Sequence, residues 1–226
     1  MLQKLFSNHI FLLLSLGLAA CTGGTPTPAP TPVPLSLDNF RADNINSPTC
    51  QPFGTEHTLQ TLDYCIYYVN AVPGLSYIAS DGGQQALKIE YALEPNPTPG
   101  WENWFSVRFE FPSAIDLSHY TGLAINLSVG KSAVNTQIRF ALADIETGKN
   151  GSDELWWCTR GDILERPDKD WQKVECSFDD FVWGDVGRSN DRVFNLQQIV
   201  AYEITVLSDP GTSPSGVFFI NSVEAR

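Results

Sequence analysis

The sequence predicts an all-β fold, a two-sheet antiparallel β-sandwich of the jelly-roll type. Three observations carry this. Apolar and polar residues alternate with period two over several separate segments, turn-forming clusters divide those segments, and no amphipathic helical stretch competes with them. Alternation of this kind marks a strand with one face in a core and the other toward solvent, and many short strands of this type close as a sandwich.

In chain order, the first strand is expected at 86–93. At 104–111, Phe105, Val107, Phe109 and Phe111 share one side, with Trp104, Ser106, Arg108 and Glu110 on the other. At 123–129, Leu123, Ile125, Leu127 and Val129 share a side. At 136–144, Ile138, Phe140 and Leu142 point inward, and Gln137, Arg139, Ala141 and Ala143 outward. Further strands are expected at 155–159, 172–178, 199–206 and 217–223. The punctuation comes from Asp81-Gly82-Gly83, the cluster at 95–100, the run at 147–151 and Asp209-Pro210-Gly211, all rich in residues that favour turns.

Residues 1–20 are an address and not part of the fold. A short polar start bearing Lys4 precedes an apolar run from Ile10 to Leu18 and then small residues, the pattern of a secretory signal. The run is too short to span a bilayer as a stable helix. Leu18-Ala19-Ala20-Cys21 resembles the lipobox of bacterial lipoproteins, which implies that Cys21 becomes the first mature residue and carries lipid. Residues 21–34 continue as a threonine- and proline-rich spacer. Proline at alternate positions from Pro26 to Pro32 favours extended polyproline II, at about 3 Å per residue and roughly 40 Å in all. The folded domain is expected over 35–226, exported and held to the cell envelope by lipid alone.

Composition sets further bounds. The chain has 226 residues, 14 Lys+Arg and 26 Asp+Glu, a net charge of −12, and 42% hydrophobic residues. That suits one globular domain and excludes disorder over the whole chain. The acidic balance, with no basic cluster, excludes nucleic acid as a partner, because such a surface repels phosphates. Aromatics reach 12% against 18% charged residues, so rings are expected on the surface as well as in the core.

With Cys21 assigned to lipid, Cys50, Cys65, Cys158 and Cys176 remain, an even number in an exported protein, and disulfides follow. Of three pairings the local one is favoured: Cys50 with Cys65 and Cys158 with Cys176. These close loops of 15 and 18 residues, each worth about 3 kcal/mol in the chain-entropy model. Zinc is not expected, since the spacing is wrong and only His57 and His119 follow the signal.

Several phrases occur in a telling order: Leu37-Asp38-Asn39-Phe40, Ala86-Leu87-Lys88-Ile89-Glu90-Tyr91, Asp116-Leu117-Ser118-His119-Tyr120-Thr121-Gly122-Leu123, Asp170-Trp171-Gln172-Lys173-Val174, Leu196-Gln197-Gln198-Ile199 and Gly216-Val217-Phe218-Phe219-Ile220-Asn221-Ser222-Val223. Together they resemble the galactose-binding-like jelly rolls that include family 11 carbohydrate-binding modules and the complex I intermediate-associated protein 30 domain. The resemblance implies a two-sheet sandwich whose concave sheet binds β-glucan chains. It implies no required cofactor and a structural calcium ion away from the ligand, for which Asp38, Glu90 and Asn221 are the candidate donors. Asn221 stands where that family commonly has Asp, which removes a charge from such a site.

Sugars present C–H faces to aromatic rings and hydroxyls to planar polar groups. The outward sides of the strands supply both, so Trp104, Arg108, Arg139, Trp156 and Glu203 are the candidate carbohydrate-binding residues, with Lys88 and Glu90 on a further strand. Arg108, Arg139 and Glu203 could equally form a cross-strand charge ladder. Catalysis is not expected: no paired strand carboxylates in E-x-D-x-x-E spacing, nucleophile elbow or phosphate-cradling glycine loop is present. The expected function is therefore non-catalytic polysaccharide binding by a monomer. A protein-interaction or assembly role is the alternative, and a jelly-roll glycosidase a more remote one.

Overall fold

Each strand has one side that must leave water, and two antiparallel sheets facing each other satisfy that demand for all of them at once. The computed structural model describes residues 32–38, 57–61, 64–69, 71–79, 85–95, 103–145, 153–165, 170–184 and 192–226. The expected signal, Cys21, most of the spacer, Cys50 and the turns at 81–83 and 147–151 lie outside the described residues.

The described strands are β1 (Leu35–Asp38), β2 (His57–Thr61), β3 (Tyr64–Val69), β4 (Ala71–Ala79), β5 (Gln85–Leu93), β6 (Asn103–Ile115) and β7 (Gly122–Lys131). They continue as β8 (Thr136–Ile145), β9 (Asp153–Arg160), β10 (Gln172–Ser177), β11 (Val182–Trp183), β12 (Ile199–Ser208) and β13 (Ser215–Ala225). All eight strands expected from alternation are present, as β5 to β10, β12 and β13; β1 to β4 and β11 are additional. No α-helix occurs among the described residues. The fold is an all-β sandwich of two antiparallel sheets. One runs β11-β9-β8-β12-β6-β3-β2; the other runs β10-β7-β13-β5-β4, with β1 also paired to β13.

The core lies between the sheets. Phe105, Val107 and Phe109 of β6, Ile138, Phe140 and Leu142 of β8, and Tyr202, Ile204 and Val206 of β12 point into it from the seven-stranded sheet. Leu87 and Ile89 of β5, Leu123, Ile125, Leu127 and Val129 of β7, and Phe218 and Ile220 of β13 meet them from the other. A buried carboxylate crosses this core. Asp38 of β1 is 3% exposed, and its Oδ2 accepts from Tyr64 Oη at 2.8 Å and Tyr202 Oη at 2.5 Å. The two phenols supply the partners that an interior carboxylate requires, and they tie the first strand of one sheet to β3 and β12 of the other.

A second tie is covalent. Cys158 of β9 and Cys176 of β10 form a disulfide with Cα atoms 6.1 Å apart, joining the two sheets at one flank. Cys65 is also disulfide-bonded; Cys50, its expected partner, lies outside the described residues. Because the Cys158–Cys176 bond closes a loop of 18 residues, its loss releases about 3 kcal/mol of chain constraint. The double variant Cys158→Ala/Cys176→Ala is expected to melt well below the parent in a thermal scan followed by circular dichroism. An unchanged midpoint would show that the sheets are held without it.

Candidate functional site

The outer face of the seven-stranded sheet is built from the residues that alternate with the core set. Strand register lays them out in rows. Cys65, Arg108, Glu203, Ala141, Trp157 and Val182 stand side by side across β3, β6, β12, β8, β9 and β11. The next row holds Tyr67, Ser106, Thr205, Arg139 and Thr159, and the one after it Val69, Trp104, Leu207 and Gln137.

At the centre of this face is a buried ionic cluster. Arg108 is 4% exposed and Glu203 7%. Arg108 Nη1 donates to Glu203 Oε1 at 2.8 Å, Nη2 to Asp153 Oδ2, and Nε to Glu110 Oε1 at 3.3 Å. Ser106 Oγ donates to Glu203 Oε2 at 2.8 Å and accepts from Thr205 Oγ1 at 3.0 Å. Burial alone would disfavour the guanidinium charge, but Glu203 and then Asp153 outweigh it and hold the pKa of Arg108 above its ordinary value. The pairing with Asp153 also reports on shape. β12 and β8 stand between β6 and β9, a width of about 14 Å at ordinary strand spacing. Side chains so far apart meet only over a face that curves inward.

Around that base lies a partly exposed band. The Arg139 guanidinium sits over the Trp157 ring, 4.3 Å from its centroid, a cation–π stack. Trp157 in turn lies so close to Gly184 that a Cβ there would collide with the indole, which accounts for glycine at that position. Gln137 and Trp104 extend the band along the next row.

Several sequence expectations are corrected here. Trp156 does not lie on this face: it is 8% exposed, belongs to the core and stacks on Phe194 at 4.9 Å between ring centroids. The reason is parity. Cys158 must face the opposite sheet to reach Cys176, so Trp156, two residues before it, faces inward too, and Trp157 takes the outside. The disulfide was the signal from which this could have been read. Arg108 and Glu203 do share the face, but as members of the charge ladder, their polar atoms engaged with one another. Lys88 and Glu90 belong to the six-stranded sheet, on the far side of the molecule. Tyr67 and Asp153 join the face without having been anticipated, Tyr67 because its strand shows no period-two alternation.

No family model matches the chain, and no curated protein does. Solved structures do. The family 11 carbohydrate-binding module from Clostridium thermocellum in complex with a β-1,3-1,4-mixed-linked tetrasaccharide gives a TM-score of 0.53 at 18% identity, covering 75% of this chain and 94% of that one. The family 11 module of the cellulosomal cellulase Lic26A-Cel5E from the same organism gives 0.52 at 17%, covering 75% and 93%. The solution structure of CtCBM11 gives 0.55 at 17%, covering 85% and 94%. The fold is that of the family 11 modules.

The structural calcium ion that the sequence resemblance implies would need Asp38, Glu90 and Asn221 to converge. Asp38 is interior and bonded to two tyrosines. Glu90 faces outward and pairs with Lys88 at 2.8 Å. Asn221 accepts from Asn126 Nδ2 at 2.7 Å and stands four residues along β13 from Val217, the register partner of Glu90, about 13 Å away. The three donors do not converge and do not fit a calcium ion. No cluster of three or more potential protein ligands occurs among the described residues.

Burial pushes the Tyr67 phenol up to about 12, against the pull of Arg108, and burial pushes Tyr91 to about 12 as well. Both folded values lie above the ordinary 10.0 of the unfolded chain. The stability each contributes is therefore complete below pH 10 and is lost as pH rises from about 10 to 12. Spectrophotometric titration should show Tyr67 and Tyr91 among the phenols that ionise late, and Tyr67→Phe should reduce the amplitude of that late phase. An undiminished late phase in that variant would place Tyr67 outside the cluster.

Proposed function

We propose that this chain is a non-catalytic glycan-binding module that captures a polysaccharide chain on the curved outer face of its seven-stranded sheet. The observation that carries this reading is the band formed by Trp104, Gln137 and Arg139, the last stacked on Trp157. Sugar rings need flat surfaces for their C–H faces and planar donors and acceptors for their hydroxyls, and this band offers both within two adjacent rows. The indole beneath Arg139 fixes the guanidinium plane, so little side-chain freedom is lost when hydroxyls bind to it. The Arg108 cluster acts below this surface as a rigid base that keeps β6 and β9 in register.

A β-glucan is the expected ligand, given the tetrasaccharide held by the Clostridium thermocellum module of the same fold. Affinity electrophoresis in gels containing mixed-linkage β-glucan tests this directly. Trp157→Ala should lose on the order of tenfold in affinity, about 1.4 kcal/mol, with its melting curve little changed. Trp156→Ala should instead lower stability by about 3–5 kcal/mol through loss of core packing. Undiminished retardation of a folded Trp157→Ala protein would remove the band from the site.

The module is proposed to work as a monomer at the cell envelope, anchored by lipid on Cys21 and displayed on the spacer that follows. Two or three acyl chains give an effectively permanent anchor. Cys21→Ser is expected to move the protein from the membrane pellet to the soluble fraction after cell lysis; retention in the pellet would exclude lipid on this residue as the anchor.

A further inference from the structure

We infer that the outer face of the six-stranded sheet carries a second glycan-binding groove, separate from the Trp157 face and suited to a short uncharged oligosaccharide. A groove of about 340 Å³ opens there, lined by Val72, Gly74, Glu90, Ala92, Lys131 and Val217 among others. Its axis follows one register row, Gly74–Glu90–Val217–Lys131 across β4, β5, β13 and β7, about 14 Å long at ordinary strand spacing.

Glycine shapes this groove. A Cβ at Gly74 would make only an ordinary contact, 3.6 Å from Glu90 Cβ, so crowding does not impose glycine there. Its effect is to leave the floor open. At Gly130 the opposite holds: a Cβ would lie 2.7 Å from Phe219 Cε2, so the bare backbone lets the Phe219 ring lie across β7. Phe219 is partly exposed and stands two residues beyond Val217 on the same side of β13. Past the ring, Asn126 Nδ2 donates to Asn221 Oδ1 at 2.7 Å, leaving one amide oxygen and one amide nitrogen of the pair to meet hydroxyls.

The electrostatics select the occupant. The lining holds one carboxylate and one ammonium, and Lys88, the register partner of Phe219, adds a second ammonium on the same face. Each has a partner: Glu90 pairs with Lys88 at 2.8 Å, and Lys131 Nζ donates to Ser215 Oγ at 2.8 Å. The Lys88–Glu90 pair is neutral, and the single remaining ammonium gives a polycation no advantage and a polyanion little. Among these lining residues Val72, at 61%, is the one exposed large apolar side chain, far short of the roughly 800 Å² per partner that a stable protein interface needs. The glycine floor and nearly neutral rim of the groove, with the Phe219 ring and two planar amides beyond its lining on the same face, match the faces and hydroxyls of a neutral sugar.

The test is a titration of isotope-labelled protein by heteronuclear NMR, with mixed-linkage β-1,3-1,4-glucotetraose, xylotetraose and galactotetraose as probes, taken to millimolar concentration. At least one probe should shift the amides of Lys88, Val217 and Phe219. Phe219→Ala should weaken that response roughly tenfold, and Phe219→Leu, which keeps bulk without an aromatic face, should weaken it as well. Absence of these shifts with every probe overturns the inference, as does an unaltered response in Phe219→Leu or displacement by a peptide. Shifts confined to Arg139 and Trp157 would support the first face and reject this one; shifts confined to Phe219 would do the reverse.

Discussion

Parity along each strand governs this molecule. A side chain in a two-sheet sandwich either enters the shared core or leaves it, and the period of two means that a single anchored residue decides the fate of its whole strand. On β9 that residue is Cys158. Its bond to Cys176 in the opposite sheet sends Trp156 against Phe194 and turns Trp157 outward beneath Arg139. The same bond therefore staples the sheets and selects which of two adjacent indoles lies on the outer face. On β1 a register shift between Ser36 and Asp38 breaks the alternation, and Asp38, held by Tyr64 and Tyr202, ties down the strand that follows the spacer.

The buried charges divide the outer face into a base and a working surface. Arg108 contacts three carboxylates and is almost fully enclosed. A guanidinium in that position is not free to turn toward a sugar, because doing so would leave carboxylates desolvated without their counter-charge, a cost of several kcal/mol. What it supplies is geometry, since it spans the width between β6 and β9 and so maintains the curvature. Arg139, one row away and partly exposed, stacks on the Trp157 ring. One guanidinium is enclosed among carboxylates and the other lies stacked and partly exposed, so two arginines on one face have different tasks.

The sandwich was legible wherever strands have one wet face. β6, β7 and β8 alternate cleanly, and their core residues are those expected: Phe105, Val107 and Phe109, then Leu123 to Val129, then Ile138, Phe140 and Leu142. β3 escaped because Tyr64-Cys65-Ile66-Tyr67 is buried on both sides, so it shows no alternation to detect. β4 contains Pro73-Gly74, residues that weaken a strand reading, and β1 and β11 are too short to show a period. For the site, the sequence indicates which residues leave the core on most strands but not how far they lie apart across the sheet. Strand order does that, and strand order here is non-sequential, β8 and β6 both flanking β12. Hence Lys88 and Glu90 fell on the wrong sheet, and Asp153 was missed.

An identity of 17–18% with structures of the same fold shows how loosely such a sandwich constrains its residues. The core requires apolar bulk at alternating positions and tolerates many combinations that fill it. The faces require only that side chains leave the core, so their chemistry is free to change without cost to the fold. A ligand face in this architecture is therefore defined by register: a ring on one strand works with a hydrogen-bonding group on its neighbour only when strand pairing brings the two to the same height. Trp104 beside Leu207 and Gln137, with Arg139 over Trp157, meets that condition on one sheet. Phe219, paired with Lys88 and Ser128, meets it on the other. Two outer faces built by the same alternation are two independent places for chemistry, and what distinguishes them is the ionic base beneath the first and the open glycine floor of the second.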